Sequence, residues 1–265
     1  QDTAGPMART AADAALLLSV LAAPGALTAE PAVIEIREMR IGVVRDFSGA
    51  GRDSAAEAGF ATALAWLEQA GVALVDPVSA ALPAAVEGAE FQILLAEFRA
   101  DLDGYLAGVQ TGPRSLAELI AFNAERTADV MPFFGQELLI AARDNEGTAA
   151  PAYTTAQNAV TAARASLAAL LAERELDAIV VPVNSRAWRT DYANGDEFRV
   201  SSSSIAAVTG YPSIAVPVAI VDELPLGVGL IAAPGQEALL VALAAAIERE
   251  RGPFPQPRFL PSMDE

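Results

Sequence analysis

Apolar residues recur along this chain in two rhythms, one with the period of a helix and one with that of a strand. Thr10 and Asp13 form a pair like a capping box ahead of the apolar run 14–21, predicting a helix from Thr10 that Pro24 and Gly25 end. Residues 39–44 are short, β-rich and flanked by charge, which predicts a strand. Residues 54–70 carry Ala58, Ala61, Leu64 and Ala65 at helical spacing, close at Gly71, and lead into a second strand at 72–75. Strand, helix and strand with short connections form a βαβ unit and favour a parallel sheet.

The middle of the chain reads as helical. Residues 89–107 place Phe91, Leu94, Leu95, Phe98 and Leu102 on one predicted face. Ser115 with Glu118 is a second capping box, starting a helix that runs toward Arg126. A loop at 147–151 precedes a long Ala-rich helix at 152–173. Alternation then returns. Residues 177–181 read as a buried strand ending at Pro182, and 213–218 and 227–232 as two more strands across the acidic turn 221–225. Residues 237–251 form a last helix, and the Pro-rich tail 252–265 is expected to wrap the surface. Gly210 with Pro212, and Pro225 with Gly227, read as punctuation at strand ends, and Asp2 and Thr3 as fixing a turn before Gly5-Pro6. There is no internal repeat. The class is α/β.

Composition narrows the chemistry. With 265 residues and 53% hydrophobic content the chain can bury a sizeable core, and its longest apolar stretch, 238–247, is far short of a bilayer span. That predicts a soluble protein. Thirty-four acidic residues face seventeen basic ones, all of them Arg, for a formal charge of −17. Such a charge repels phosphate backbones and anionic lipid, so neither nucleic acid nor membrane is an expected partner.

The sequence contains no His, Cys or Lys. That removes a Ser-His-Asp relay, a thiol nucleophile, a thiolate metal site, a Schiff base and a lysine general base. Paired carboxylates remain, but no spacing singles out a pair. Gln1 is not a start methionine and no signal-peptide features follow, so the sequence is expected to start inside a longer polypeptide. Cytoplasm is the favoured compartment.

A resemblance enters at particular segments. Gln1-Asp-Thr-Ala-Gly-Pro-Met-Ala-Arg-Thr-Ala-Ala-Asp-Ala-Ala is similar to the turn and helix after the catalytic serine region of the amidase signature family. Gly210-Tyr-Pro-Ser-Ile-Ala-Val-Pro217 and Leu224-Pro-Leu-Gly-Val-Gly-Leu-Ile-Ala232 resemble its late strand pair, and Pro257-Arg-Phe-Leu-Pro261 its ending. Phe122-Asn123 through Phe133-Phe-Gly-Gln-Glu137, and Trp188 through Asn194-Gly-Asp196, look most similar to the peptide amidase branch.

The resemblance implies part of a mixed β-sheet covered by helices on both faces, with residues 1–265 the C-terminal portion of a single amidase signature domain. It implies hydrolysis of carboxamides, peptide amides among them, by a Ser–cis-Ser–Lys arrangement with a Gly/Ser-rich oxyanion hole and no cofactor. A serine needs a base and its oxyanion needs fixed donors. With no Lys and no Gly-Gly-Ser-Ser-Gly-Gly segment here, those residues are expected on a preceding segment or a partner chain, and this chain alone is expected to be inactive. The same resemblance admits the amidase subunit of a tRNA-dependent amidotransferase, and a non-catalytic binding or scaffold subunit descended from an amidase is the other alternative.

Ser201–Ser204 lack a base and flanking glycines, and read as a helix cap and turn or as pocket lining. Trp188, Asn194 and Asp196 follow a predicted strand, where α/β proteins place binding groups, and Phe134 and Gln136 sit at a helix start after Pro132. These five are the candidate substrate-binding residues; no catalytic or metal-ligating residue is assigned. The bland alternatives are a packed Trp188, a turn at Asn194-Gly195 and a buried Phe134. Arg186 and Arg189 could meet a substrate carboxylate, with surface ion pairing the simpler reading.

Overall fold

The computed structural model describes residues 3–23 and 34–261. In chain order the elements are α1 (Ala11–Leu21), β1 (Arg40–Val44), α2 (Ser54–Gln69), β2 (Ala73–Val78), α3 (Ala89–Ala107), α4 (Leu116–Glu125), α5 (Thr127–Val130) and α6 (Glu137–Asp144). Then follow α7 (Pro151–Glu173), β3 (Ala178–Pro182), α8 (Ser203–Thr209), β4 (Ser213–Val221), β5 (Leu224–Ala232) and α9 (Glu237–Arg251). The chain forms two compact units. Among the described residues, the smaller holds Leu82–Leu167 and Thr190–Asp196; the larger holds 3–23, 34–81, Ala168–Arg189 and 197–261.

The larger unit is built on a five-stranded sheet in the order β2-β1-β3-β5-β4. β1 runs parallel to both β2 and β3, as the βαβ reading requires, while β5 is antiparallel to β3 and β4. The sheet is therefore mixed. Every residue of β3 is buried, so its side chains are covered on both faces of the sheet. The β4–β5 hairpin turns at Asp222 and Glu223, both with positive φ, the backbone signs of a type I′ turn. The strands run closer to this turn than alternation predicts, and Pro225 and Gly227 fall inside β5 rather than at its end. Pro225 is tolerated because β3 ends at Pro182, opposite Val228, leaving the neighbouring stretch of β5 with β4 alone for a partner.

Helices α2 and α9 bury Phe60, Leu67, Leu243 and Ile247 against Ile41, Val43, Val180 and Leu230 of the strands. The Asp53 carboxylate starts α2, accepting from the Ala55 and Ala56 amides at 3.0 Å each. Thr10 caps α1 as predicted, accepting from the Asp13 amide at 3.1 Å. Glu248 of α9 meets the Ala11 amide at 3.0 and 3.1 Å, placing negative charge at the positive end of α1.

In the smaller unit Leu116, Ile120 and Ala142 form a core with Leu95, Leu102 and Leu139. Ser115 caps α4 by accepting from the Glu118 amide, and Glu118 reaches back to the Arg114 amide. The predicted face of α3 holds in part: Leu95 and Leu102 pack on this core, but Ile93 and Ala96 are the more deeply buried and Phe91 and Phe98 are exposed. Tyr153 of α7 donates to Glu97 of α3 at 2.6 Å and accepts from Gln157 at 2.8 Å. Hydrogen bonding to that carboxylate and burial hold the phenol above its usual range.

No helix among the described residues is long and apolar enough to cross a membrane, and no acidic cluster there could hold a metal. The expected turn at Asp2, the helix end at Pro24-Gly25 and the last four residues of the tail lie outside the described residues.

Candidate functional site

The site begins where β3 ends. After Pro182 the chain runs without helix or strand through to Ser202, a connection too long to be a simple link and of the length that commonly carries binding groups. It leaves the carboxyl end of a parallel strand, where open α/β sheets bind ligands. Two isolated bridges, Asn184 with Ser201 and Ser48 with Ser201, pin its base.

Its first part belongs to the larger unit. Trp188 is half-buried and packs on Phe198, ring centres 4.8 Å apart at 59°. Arg186 pairs with Asp222 of the hairpin turn, so the ion-pair reading of that arginine holds. Residues 183–185, 215–217 and 225–227 enclose a depression of about 200 Å³. Ser185 lines it, is 8% exposed, and carries the one buried side-chain polar atom among the described residues without a hydrogen-bond partner.

Four of the five predicted binding residues lie in the smaller unit. Asp191 accepts from the Ala193 and Asn194 amides at 2.8 and 2.9 Å and from the Asn194 side chain at 2.8 Å. The Asn194 side chain first, then the two amides, lower the Asp191 pKa. Asn194 thus braces a turn that Gly195 continues at φ +83°, leaving the following Asp196 exposed. Gln136 is held at both ends of its amide, donating to the Ile120 carbonyl at 3.1 Å and accepting from Asn123 at 3.2 Å. Phe134 stands exposed, 5.3 Å from the Tyr192 ring, and Phe133 stacks on the same ring at 4.7 Å and 13°.

The structure therefore gathers Phe134 with the 190–196 segment through Tyr192, and sets Gln136 just behind it at the start of α6. Sequence reasoning missed Phe133 and Tyr192 as partners of Phe134, and Ser185 altogether. An aromatic in a long loop and a serine three residues past a strand end were the available signals.

Among serines 201–204, Ser202 donates to the Pro182 carbonyl, and Ser201 and Ser203 share a 3.3 Å contact. No serine side chain caps α8, because the Ser202 hydroxyl is engaged with Pro182.

A mixed five-stranded sheet with helices packed on it and a long irregular connection after β3 defines an α/β protein. The chain belongs to the amidase family, whose profile matches residues 1–241. It is 31% identical over 283 residues to a glutamyl-tRNA(Gln) amidotransferase subunit from Anaeromyxobacter sp. (strain K), covering 97% of this chain and 56% of that protein. It is 30% identical to mandelamide hydrolase of Pseudomonas putida, covering 97% of this chain and 52% of that one. The native peptide amidase of Stenotrophomonas maltophilia superposes with a TM-score of 0.79 at 35% identity, covering 95% of this chain and 54% of the amidase. The chain spans about half the length of the relatives it matches.

Proposed function

We propose that residues 1–265 form the C-terminal portion of a single amidase signature domain whose whole hydrolyses carboxamides, peptide amides among them. The carrying observation is likeness to a peptide amidase over 95% of this chain but only 54% of that enzyme. The absence of any lysine fits a Ser–cis-Ser–Lys set outside these 265 residues, on the same polypeptide or a partner chain. There the lysine takes the proton of the nucleophilic serine through the bridging serine, the serine oxygen adds to the amide carbon, and the protonated amine leaves. Water then releases the acid from the acyl-serine.

This portion completes the sheet and offers one wall of the substrate pocket. Phe134, Gln136, Asn194 and Asp196 are the substrate contacts proposed on the smaller unit, and Trp188 is the one proposed on the larger unit, each taken by itself. The exposed rings of Phe134 and Tyr192 supply a flat apolar surface of the kind an aromatic or peptide side chain packs on.

The test is ammonia release from a C-terminally amidated dipeptide by the chain together with its lysine-bearing complement. The reading predicts turnover with that complement, none from residues 1–265 alone, and about a tenfold higher KM in Phe134→Ala with kcat less affected. Turnover by the 265-residue chain alone contradicts it. The 31% identity to an amidotransferase component favours a second reading, in which this chain serves in an enzyme of that kind. Amide hydrolysis that needs glutamyl-tRNA and further subunits would select it.

A further inference from the structure

Three aromatic rings stand together on the smaller unit. Phe133, Phe134 and Tyr192 are each more than half exposed, yet Tyr192 stacks on the first and lies against the second. They take no part in the core of this unit, which Leu116, Ile120 and Ala142 build, so packing does not account for them. Rings that touch one another while facing water concentrate uncovered apolar surface at one place, and such a patch marks a site of interaction.

Charge decides what the rings can take. Segments 127–137 and 190–196, which supply them, hold four carboxylates and no arginine. Glu137 is exposed, and one of its carboxylate oxygens lies 2.7 Å from where a β-carbon on Gly135 would stand. Asp191, whose pKa its turn lowers, keeps its charge one residue before Tyr192. An anionic guest is repelled here, and a neutral one gains nothing from the carboxylates. A cation gains twice, from the negative faces of the rings and from the carboxylates. The same unit already holds one guanidinium on a ring, for Arg126 lies 4.0 Å from the centre of Phe122.

We propose that Phe133, Phe134 and Tyr192 form a platform for an arginine side chain of the peptide substrate, its stem and guanidinium packed on the rings and its charge favoured by Glu137 and Asp191. That the guest is a substrate rests on the amidase reading; the preference for a cationic side chain does not. Arginine suits the platform better than lysine, because a planar, weakly hydrated guanidinium stacks on a ring while an ammonium holds its water. Tyr192 touches both phenylalanine rings, so the three are grouped before the guest arrives and little ordering is left to oppose binding.

NMR of labelled Phe and Tyr rings in the whole chain, in the assembly in which it is purified, tests this. The probe is Nα-acetyl-arginine methylamide, and the control is its citrulline counterpart, similar in shape but uncharged. The expected result is saturable shifts at the Phe133, Phe134 and Tyr192 rings, with the arginine probe bound about tenfold more tightly than the citrulline one. Tyr192→Leu weakens the arginine probe about fivefold and Glu137→Gln about threefold, both at exposed positions where the fold is retained. The proposal is overturned by an absence of saturable shifts at these rings, by equal binding of the two probes, or by Tyr192→Leu binding as wild type. Ring signals that follow protein concentration without the probe would assign the face to a second copy. Rings that close to the probe once the lysine-bearing complement is bound would assign it to that complement, and either result overturns the proposal. No turnover is read, so such a failure leaves ammonia release by the complemented enzyme untouched, and failure of ammonia release leaves this binding result standing.

Discussion

Helix α1 shows a stripe of apolar side chains to solvent. Ala11 and Ala15 are buried in the core that includes α9, but Leu16, Leu17, Val20 and Leu21 keep 51%, 42%, 75% and 50% of their surface exposed. One exposed leucine is ordinary; four at i, i+1, i+4 and i+5 make a continuous patch, which marks an interaction surface. Burying a whole Leu or Val is worth about 1.5–3 kcal/mol, so covering these remaining areas is worth about 4 kcal/mol per chain. That is roughly a thousandfold in an association constant.

Leu16→Glu with Val20→Glu removes somewhat over half of that term and adds two charges. It should cost the fold little, since both positions are exposed and Glu is a good helix former. Size-exclusion chromatography with light scattering over a hundredfold range of concentration reads the effect. The wild-type chain alone should elute as concentration-dependent assemblies, and the double variant should shift toward monomer with unchanged far-UV circular dichroism. A sharp wild-type monomer peak at every concentration, with a cooperative melt, refutes the reasoning.

Asp53→Ala should lower stability by about 1–2 kcal/mol, since it strips the cap from two amides at the start of α2, while Asp53→Asn keeps the acceptor and most of the stability. Urea unfolding checks this, and equal midpoints for the two variants contradict it. Gln136→Ala should leave the Ile120 carbonyl and the Asn123 amide without their partner, costing about 1–2 kcal/mol locally. Faster amide exchange at the end of α4 and the start of α6 is the expected readout, and unchanged exchange there counts against it. The depressed pKa of Asp191 means its turn gains stability that is present above the ordinary carboxylate value of about 3.9 and is lost as pH falls through the lower folded value. A carboxylate carbon-13 titration of Asp191 should therefore have its midpoint below the usual aspartate range, and a midpoint within that range rejects the turn.

Much of the fold was legible because local signals agreed with tertiary demands. The capping serine and threonine placed α4 and α1, Gly71 closed α2, and the β-rich runs 39–44 and 177–181 fell on β1 and β3. Legibility failed where packing overrode pattern. On α3 the large rings of Phe91 and Phe98 looked like the core face, yet the buried face is built from smaller Ala89, Ile93 and Ala96. Pro225 and Gly227 looked like strand ends, because nothing in the sequence tells that β5 runs on past β3 and has β4 as its single strand neighbour at Pro225. The candidate site was visible as residue types in an irregular stretch, but its organisation was not. That Tyr192 would stack with Phe133 and lie beside Phe134, or that Ser185 would be buried without a partner, depends on chain crossings tens of residues apart.

The central claim is that this chain shapes an amidase without holding its nucleophile. Labelling an amide-hydrolysing preparation with a fluorophosphonate, then mapping every polypeptide in it by mass spectrometry, tests that claim most directly. The account predicts the label on a serine in a lysine-bearing segment or companion chain and none within residues 1–265. A labelled serine among residues 201–204, or anywhere else in this sequence, would contradict it.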